Sequence, residues 1–318
     1  MNKTKTAVSI IIFSAALCAG FLLLRQYYPQ LLRHKTEMEK KHTVCVLGVS
    51  ENTGIISGDR AGIRNIFINW KTSFPVDTVL AIKKSGAVPM ITWEPYLEKQ
   101  NEKLLPDIAA GKYDEYINKF AAACGNEPLF LRFAHEPNGD WYGWSGAPGV
   151  YIAAFRHVRS IFRNGNGKNV KFIFSVNAND VPAAAWNRFE NYYPGGDCAD
   201  IIGLDAYNWG KLRRWQSPEA ILQKAYERSV KAFPSKPVFI SETASCGLGG
   251  DKKAWIQRLK HLLQKRFLAV KAVIWFNIDK ECDWSISSGD LRDQFYAGCG
   301  TGHFDCSAQG VSWLFGGN

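Results

Sequence analysis

Two glutamates stand where apolar, strand-like runs end. Glu136 closes the stretch FLRFAHE and Glu242 closes PVFISE. Two carboxyl groups brought into one cleft can divide a hydrolysis between them. One holds a proton for the departing oxygen, and the other attacks or activates water. Glu94, Asp205 and Asp279 occupy similar strand-end positions, and the sequence alone does not exclude them. Eight of the eleven tryptophans (70, 93, 141, 144, 209, 215, 275 and 284) also fall at or just beyond such ends. Carboxylates beside flat aromatic faces suit sugar rings, whose C–H faces stack while their hydroxyls need polar partners. Simpler readings exist for each residue. Glu136 would cap a surface loop, Glu242 would be a salt-bridged strand end, and His135 would be a satisfied core histidine. Asp205 would pair with a strand-end arginine or amide, and Trp93, Trp144 and Trp215 would be packing residues.

Positioning these groups requires a repeated scaffold, and the chain shows one. Short β-rich runs recur at roughly twenty- to forty-residue intervals, with helix-compatible sequence between most of them. They span 44–50, 65–70, 87–93, 129–134, 170–176, 200–206, 237–242 and 271–277. Near-continuous apolar strands alternating with helices indicate a parallel sheet covered on both faces. Eight such units predict an α/β fold, a (β/α)8 TIM barrel over residues 43–318, with the active face at the C-terminal strand ends. Helices are expected over 76–84, 113–123, 150–162, 218–232 and 252–267. A doubly wound open sheet is disfavoured, because Glu51-Asn52-Thr53-Gly54 after the first run is no glycine-rich dinucleotide turn.

Ahead of the barrel, Ala7–Leu24 is an uncharged run of 18 residues behind a short basic start. Residues 1–24 therefore read as a signal peptide or signal anchor, with the membrane as partner through 7–24, and 25–42 as a stalk. The run continues past any small-residue cleavage site, which favours an uncleaved anchor. The basic flank that follows it points inward by the positive-inside rule, whereas a polysaccharide lies outside; the expectation is an extracytoplasmic barrel. Residues 1–42 carry half of the formal net charge of +10. No Lys/Arg cluster interleaves with aromatics as single-stranded nucleic acid would require. Of the eight cysteines, Cys45 and Cys124 sit in apolar stretches and read as buried thiols, while Cys282, Cys299 and Cys306 could hold one disulfide. No Cys/His spacing resembles a zinc site; no metal or other cofactor is expected, and the chain reads as a monomer.

The stretch Arg132-Phe-Ala-His135-Glu136-Pro-Asn138-Gly139-Asp-Trp141 resembles the acid/base motif of glycoside hydrolase family 26. That family comprises retaining β-mannanases, mixed-linkage β-glucanases and a few xylanases on (β/α)8 barrels. The resemblance extends over most of 44–290 and includes YPGGDCADIIGLDAYN (193–208), PVFISETAS (237–245) and AVIWFN with Asp283-Trp284. It implies Glu136 as general acid/base and Glu242 as nucleophile. Tyr207 would hydrogen-bond the nucleophile, and His135 and Arg132 would support the acid/base strand end. Trp141 and Trp275 would line the sugar sites beside the cleaved bond. Trp93, Glu94, Asn138, Asp205 and Trp284 are further candidates for contacts with substrate. Many mannanases of the family place a histidine directly after the third-strand tryptophan, where this chain has Glu94. An ionised glutamate only accepts hydrogen bonds, so the departure favours β-1,4- or mixed-linkage glucan over β-1,4-mannan. The competing reading is a catalytically silent polysaccharide-binding barrel anchored at the membrane, since fold does not fix function.

Overall fold

The computed structural model describes residues 43–52, 60–165, 167–287 and 289–316. The expected segments 1–24 and 25–42 lie outside the described residues. No helix among the described residues is long and apolar enough to cross a membrane.

All eight predicted runs are strands: β1 (Cys45–Ser50), β2 (Ile63–Asn69), β3 (Val88–Glu94), β4 (Leu129–Phe133), β5 (Val170–Asn177), β6 (Ile201–Asn208), β7 (Val238–Ser245) and β8 (Val270–Phe276). Each pairs in parallel with its sequence neighbour, and β1 pairs with both β2 and β8, which closes the barrel. Almost every strand residue is buried on both faces, because helices cover the outside and side chains fill the inside.

The helices are α1 (Val76–Lys84), α2 (Leu105–Ala109), α3 (Asp114–Cys124), α4 (Pro148–Asn164), α5 (Pro218–Ala232), α6 (Lys252–Lys265) and α7 (Gly289–Tyr296). The five predicted helices are all present, two of them with clear starts. Ser217 caps α5 by accepting from the Ala220 N–H at 3.3 Å, with Pro218 next, and Asp251 caps α6 through the Ala254 N–H at 3.0 Å. The sequence reading missed α2 and α7. It also did not foresee that two 3-10 turns, Ala185–Asn187 and Phe189–Tyr192, occupy the β5–β6 connection.

Inside, the barrel is divided by polarity. Its lower layer is apolar: Val46, Ile63, Met90, Phe130, Ile173, Ile201, Phe239 and Ile274 pack together. A short strand, β9 (Phe304–Asp305), pairs with the start of β1, and the 3-10 segment Ala308–Phe315 sets Val311, Leu314 and Phe315 against this layer. Above it the buried side chains are polar: Asn65, Thr92, Arg132, Ser175, Asp205, Ser241 and Glu242. Gly203 makes room for this layer, since a Cβ there would stand 2.4 Å from the Ser241 Oγ and 2.6 Å from the Ser175 Oγ.

Two disulfides join Cys246 to Cys282 and Cys299 to Cys306. The sequence placed one bridge within the C-terminal cluster; the second recruits Cys246, the residue directly after β7. Cys45 and Cys124 are buried thiols as expected.

Candidate active site

The centre is Arg132, on β4 and without solvent exposure. Its Nη1 donates to the Thr92 Oγ1 at 3.0 Å and to the Glu242 Oε1; its Nη2 donates to the Asp205 Oδ2. The carboxylates stabilise the guanidinium against the cost of burial and hold it charged. Asp205 also accepts from the Ser175 Oγ, and its side chain is fully buried. Asp205 therefore works as the anchor of Arg132 beneath the mouth and is not placed to touch a sugar.

Glu242 reaches the interior through a bulge. The β6–β7 register passes from Leu204↔Ile240 to Asp205↔Glu242, and the β7–β8 register passes from Ile240↔Val273 to Thr243↔Trp275. Strand alternation puts Phe239 inside and would send Glu242 outward; the extra residue re-aims it. Its Oε1 accepts from Arg132 and its Oε2 from the Tyr207 hydroxyl. Burial and the Glu242 charge push the Tyr207 phenol far up, so it remains a donor.

Glu136 stands just past β4 on a backbone turned out of the ordinary regions, with φ of +48° at Ala134 and +52° at Glu136. Such conformations cost roughly 1–3 kcal/mol each and persist only where neighbours fix them. The Ala134 N–H donates to the Trp93 carbonyl, the Glu136 N–H to the Ser175 carbonyl, and the Trp144 Nε1 to the His135 carbonyl at 2.7 Å. Asn138 then clips the loop to β5: its Nδ2 donates to the Asn177 carbonyl and its Oδ1 accepts from the Asn177 N–H, both at 2.9 Å. Asn138 is buried and acts on the loop, not on a ligand. The Glu136 carboxyl accepts from the Asn177 Nδ2 at 2.9 Å and the Trp141 Nε1 at 2.8 Å. Burial first, and the Glu242 charge second, push its pKa up to about 7.

Glu94 ends β3 in the same neighbourhood, accepting from the Gln100 Nε2 at 3.1 Å, and burial with the Glu242 charge lifts it too to about 7. That shift favours a side chain able to donate as well as accept, where the sequence reading has an ionised acceptor. His135 is buried among Phe67, Tyr142 and Trp144, with its Nε2 3.1 Å from the Tyr142 hydroxyl. Burial keeps it neutral, with a pKa well below the usual value; it supports the strand end.

The tryptophans divide. Trp141 is 41% exposed, and its ring lies over Gly139, where a Cβ would come within 2.5 Å of the indole. Trp93 is fully buried on the helix side, stacked on Phe120 at 4.2 Å with its Nε1 donating to Tyr116. Trp275 is likewise buried between Trp255 of α6 and Phe295 of α7. Neither has a ring face free for a sugar, so both are packing residues and not the substrate contacts expected. Trp284 is buried as well and braces Tyr207 at a ring spacing of 5.3 Å. Asn177 ends β5, and only the pairing of β4 with β5 brings its amide to Glu136, a contact that residue types along the sequence do not signal. Among the described residues no group of three or more His, Cys, Asp and Glu side chains is arranged to hold a metal.

Eight parallel strands closed into a (β/α)8 barrel, with Glu136 and Glu242 buried beside the ends of β4 and β7, define the class of the fold. The family model of glycosyl hydrolase family 26 matches residues 107–217. Endoglucanase H of Acetivibrio thermocellus is 36% identical over 247 residues, covering 73% of this chain and 27% of that protein. The chain spans between 25% and 39% of the lengths of four curated relatives that it matches. In structure, a Bacillus subtilis mannanase superposes with a TM-score of 0.61 at 16% identity, covering 85% of this chain and 89% of that one. An endo-β-1,4-mannanase from Cellulomonas fimi gives 0.64 at 15% identity, covering 88% and 76%. The chain belongs to glycosyl hydrolase family 26.

Proposed function

We propose that this chain is a retaining glycoside hydrolase that cleaves β-linked polysaccharide, with Glu136 as acid/base and Glu242 as nucleophile. The observation that carries the reading is the difference between two neighbouring carboxyls. Glu136 receives only neutral donors and is lifted to about 7, while Glu242 accepts from a guanidinium and a phenol. The first is suited to hold a proton at neutral pH, the second to present negative charge.

In the first step Glu242 attacks the anomeric carbon while Glu136 passes its proton to the glycosidic oxygen, and the leaving sugar departs as an alcohol. Ester formation neutralises Glu242 and removes the charge that helped to raise Glu136. The Glu136 pKa then falls, so the carboxylate can take a proton from water as water attacks the ester carbon. Arg132 and Tyr207 hold both Glu242 oxygens in place for the attack.

Likeness to an endoglucanase at 36% identity supports a β-glucan, mixed-linkage or β-1,4, ahead of β-1,4-mannan. Two disulfides among the described residues support an oxidising, extracytoplasmic location, with residues 7–24 as the membrane segment. The test of mechanism is trapping with a 2-fluoro-glycoside that has a good leaving group. The expected outcome is one covalent sugar, mapped by peptide mass to Glu242. An unlabelled protein that still cleaves polymer with inversion would overturn it. Relative kcat/KM on mixed-linkage β-glucan and β-mannan tests the substrate, and faster mannan cleavage removes the preference.

A further inference from the structure

The stretch after β6, Trp209-Gly-Lys-Leu-Arg-Arg-Trp215, does interleave cations with aromatics, contrary to the expectation from the sequence. Lys211, Arg213 and Arg214 are exposed in succession beside Leu212 and Leu248, which are 48% and 54% exposed. Among the described residues none of the three cations has a carboxylate partner. Glu219, close in sequence, is already held by Arg258, and Asp251 is occupied as the cap of α6.

The loop is fixed, not a trailing segment. The Asn208 Oδ1 accepts from the N–H groups of Gly210 and Gln216, at 3.3 and 2.8 Å, and the Lys211 N–H donates to the Leu248 carbonyl at 2.9 Å. Gly210 is required there: its φ is +54°, and a Cβ would stand 2.1 Å from the Leu248 carbonyl oxygen. The Arg213 guanidinium lies 4.4 Å over the Trp209 ring. Trp209 meets Trp284 edge-on at 5.2 Å, and its ring is 6.2 Å from that of Tyr207, the donor to Glu242. A continuous aromatic path therefore runs from the nucleophile to a cationic lip.

Resting on the hydrolase reading above, we propose that this lip binds carboxylate groups carried by the polysaccharide, so that the substrate class is an acidic β-glycan. Charge placement selects it. The floor already engages Arg132 with Asp205 and Glu242 and sets Glu94 and Glu136, both lifted to about 7, beside them, so it offers no free cation to a further carboxylate. An acidic substituent can be seated only away from the cleaved bond, and the unpaired guanidinium groups on the lip match it in shape and charge.

The test uses the full-length chain and two forms of one polymer, mixed-linkage β-glucan and the same glucan lightly carboxymethylated. Affinity electrophoresis in gels containing each polymer reads binding without turnover, and kcat/KM reads its use. The carboxymethylated form should be retained more tightly, with the preference fading at high salt. Replacing Lys211, Arg213 and Arg214 by Gln should cut the preference roughly tenfold, the middle of the range for three exposed ion pairs. Arg213→Lys should keep most of it, and Arg214→Gln, which touches no ring, should lose part of it. Equal retention of the two polymers, or equal loss on both in the triple variant, overturns the proposal. So does a triple variant that keeps the preference but no longer sediments with phosphatidylglycerol-containing vesicles, which would make the lip a membrane contact. Failure to cleave any β-glycan would sink the hydrolase reading, while the gels still decide the lip.

Discussion

Replacing Glu136 by Gln should stabilise the folded protein, and only at higher pH. In the folded chain burial and the Glu242 charge lift the Glu136 carboxyl from 4.5 to about 7. Between those values the folded state keeps a proton that the unfolded chain has released, so stability falls as pH rises. Below about 4.5 both states are protonated and the group contributes its full share; above about 7 that share is gone. At about 1.4 kcal/mol per pKa unit the loss amounts to roughly 3 kcal/mol. Gln has no such dependence. Its amide brings a fixed mismatch instead, because Asn177 and Trp141 both donate to this side chain and one of them would face an N–H. That offset, about 1–3 kcal/mol, does not vary with pH. Urea or thermal unfolding of both proteins from about pH 4 to about pH 9 isolates the variable part. The difference in Tm should grow in favour of Glu136→Gln by something like 5–10 °C across the window and then level off. A gap that stays constant, or that shrinks with rising pH, would refute the buried, proton-holding acid.

Arg132→Met leaves Asp205 and Glu242 buried without their cation; the domain should lose about 3–5 kcal/mol, read as a lowered denaturation midpoint, with less loss at acid pH where carboxyls protonate. Gly139→Ala pushes a methyl group to within 2.5 Å of the Trp141 indole. It should cost on the order of tenfold in kcat/KM through the displaced donor to Glu136, with little change in Tm. Serine at both Cys246 and Cys282 opens a link across a separation of 36 residues, and about 3–4 kcal/mol of stability should go with it, measured by unfolding with and without reductant.

The barrel was legible because strands buried on both faces read as unbroken apolar runs, and because Ser217-Pro218 marks a helix start without ambiguity. The two glutamates were legible as strand-end acids. What the sequence concealed was direction. Trp93 and Glu94 are neighbours on one strand, so they cannot both face the mouth; once Glu94 turns inward, Trp93 must pack outward against Phe120. The same alternation sends Trp275 to the helices. For Glu242 alternation misleads, since the bulge that turns it inward leaves no mark in residue types. The clustering of tryptophans at the strand ends was real. For Trp93, Trp144, Trp275 and Trp284 its cause is the packing of the upper barrel and its long connections, and only Trp141 among the proposed platforms keeps an open face. Elements such as α2 and β9 are too short to carry a period, and the pairing of Cys246 with Cys282 depends on which loops meet above the barrel.

The seal beneath the barrel also bears on the order in which the chain can be completed. The first strand is bonded along one edge to β8 and at its start to β9, while Val311 and Phe315 stopper the layer below. Synthesis delivers β1 well before any of these partners. Half-barrels can gather in the meantime, but the ring and its stopper must wait for β8 and the segments after it. Until then Val46, Phe130 and Phe239 lack their cover, and exposed apolar surface of that kind is where incomplete chains associate.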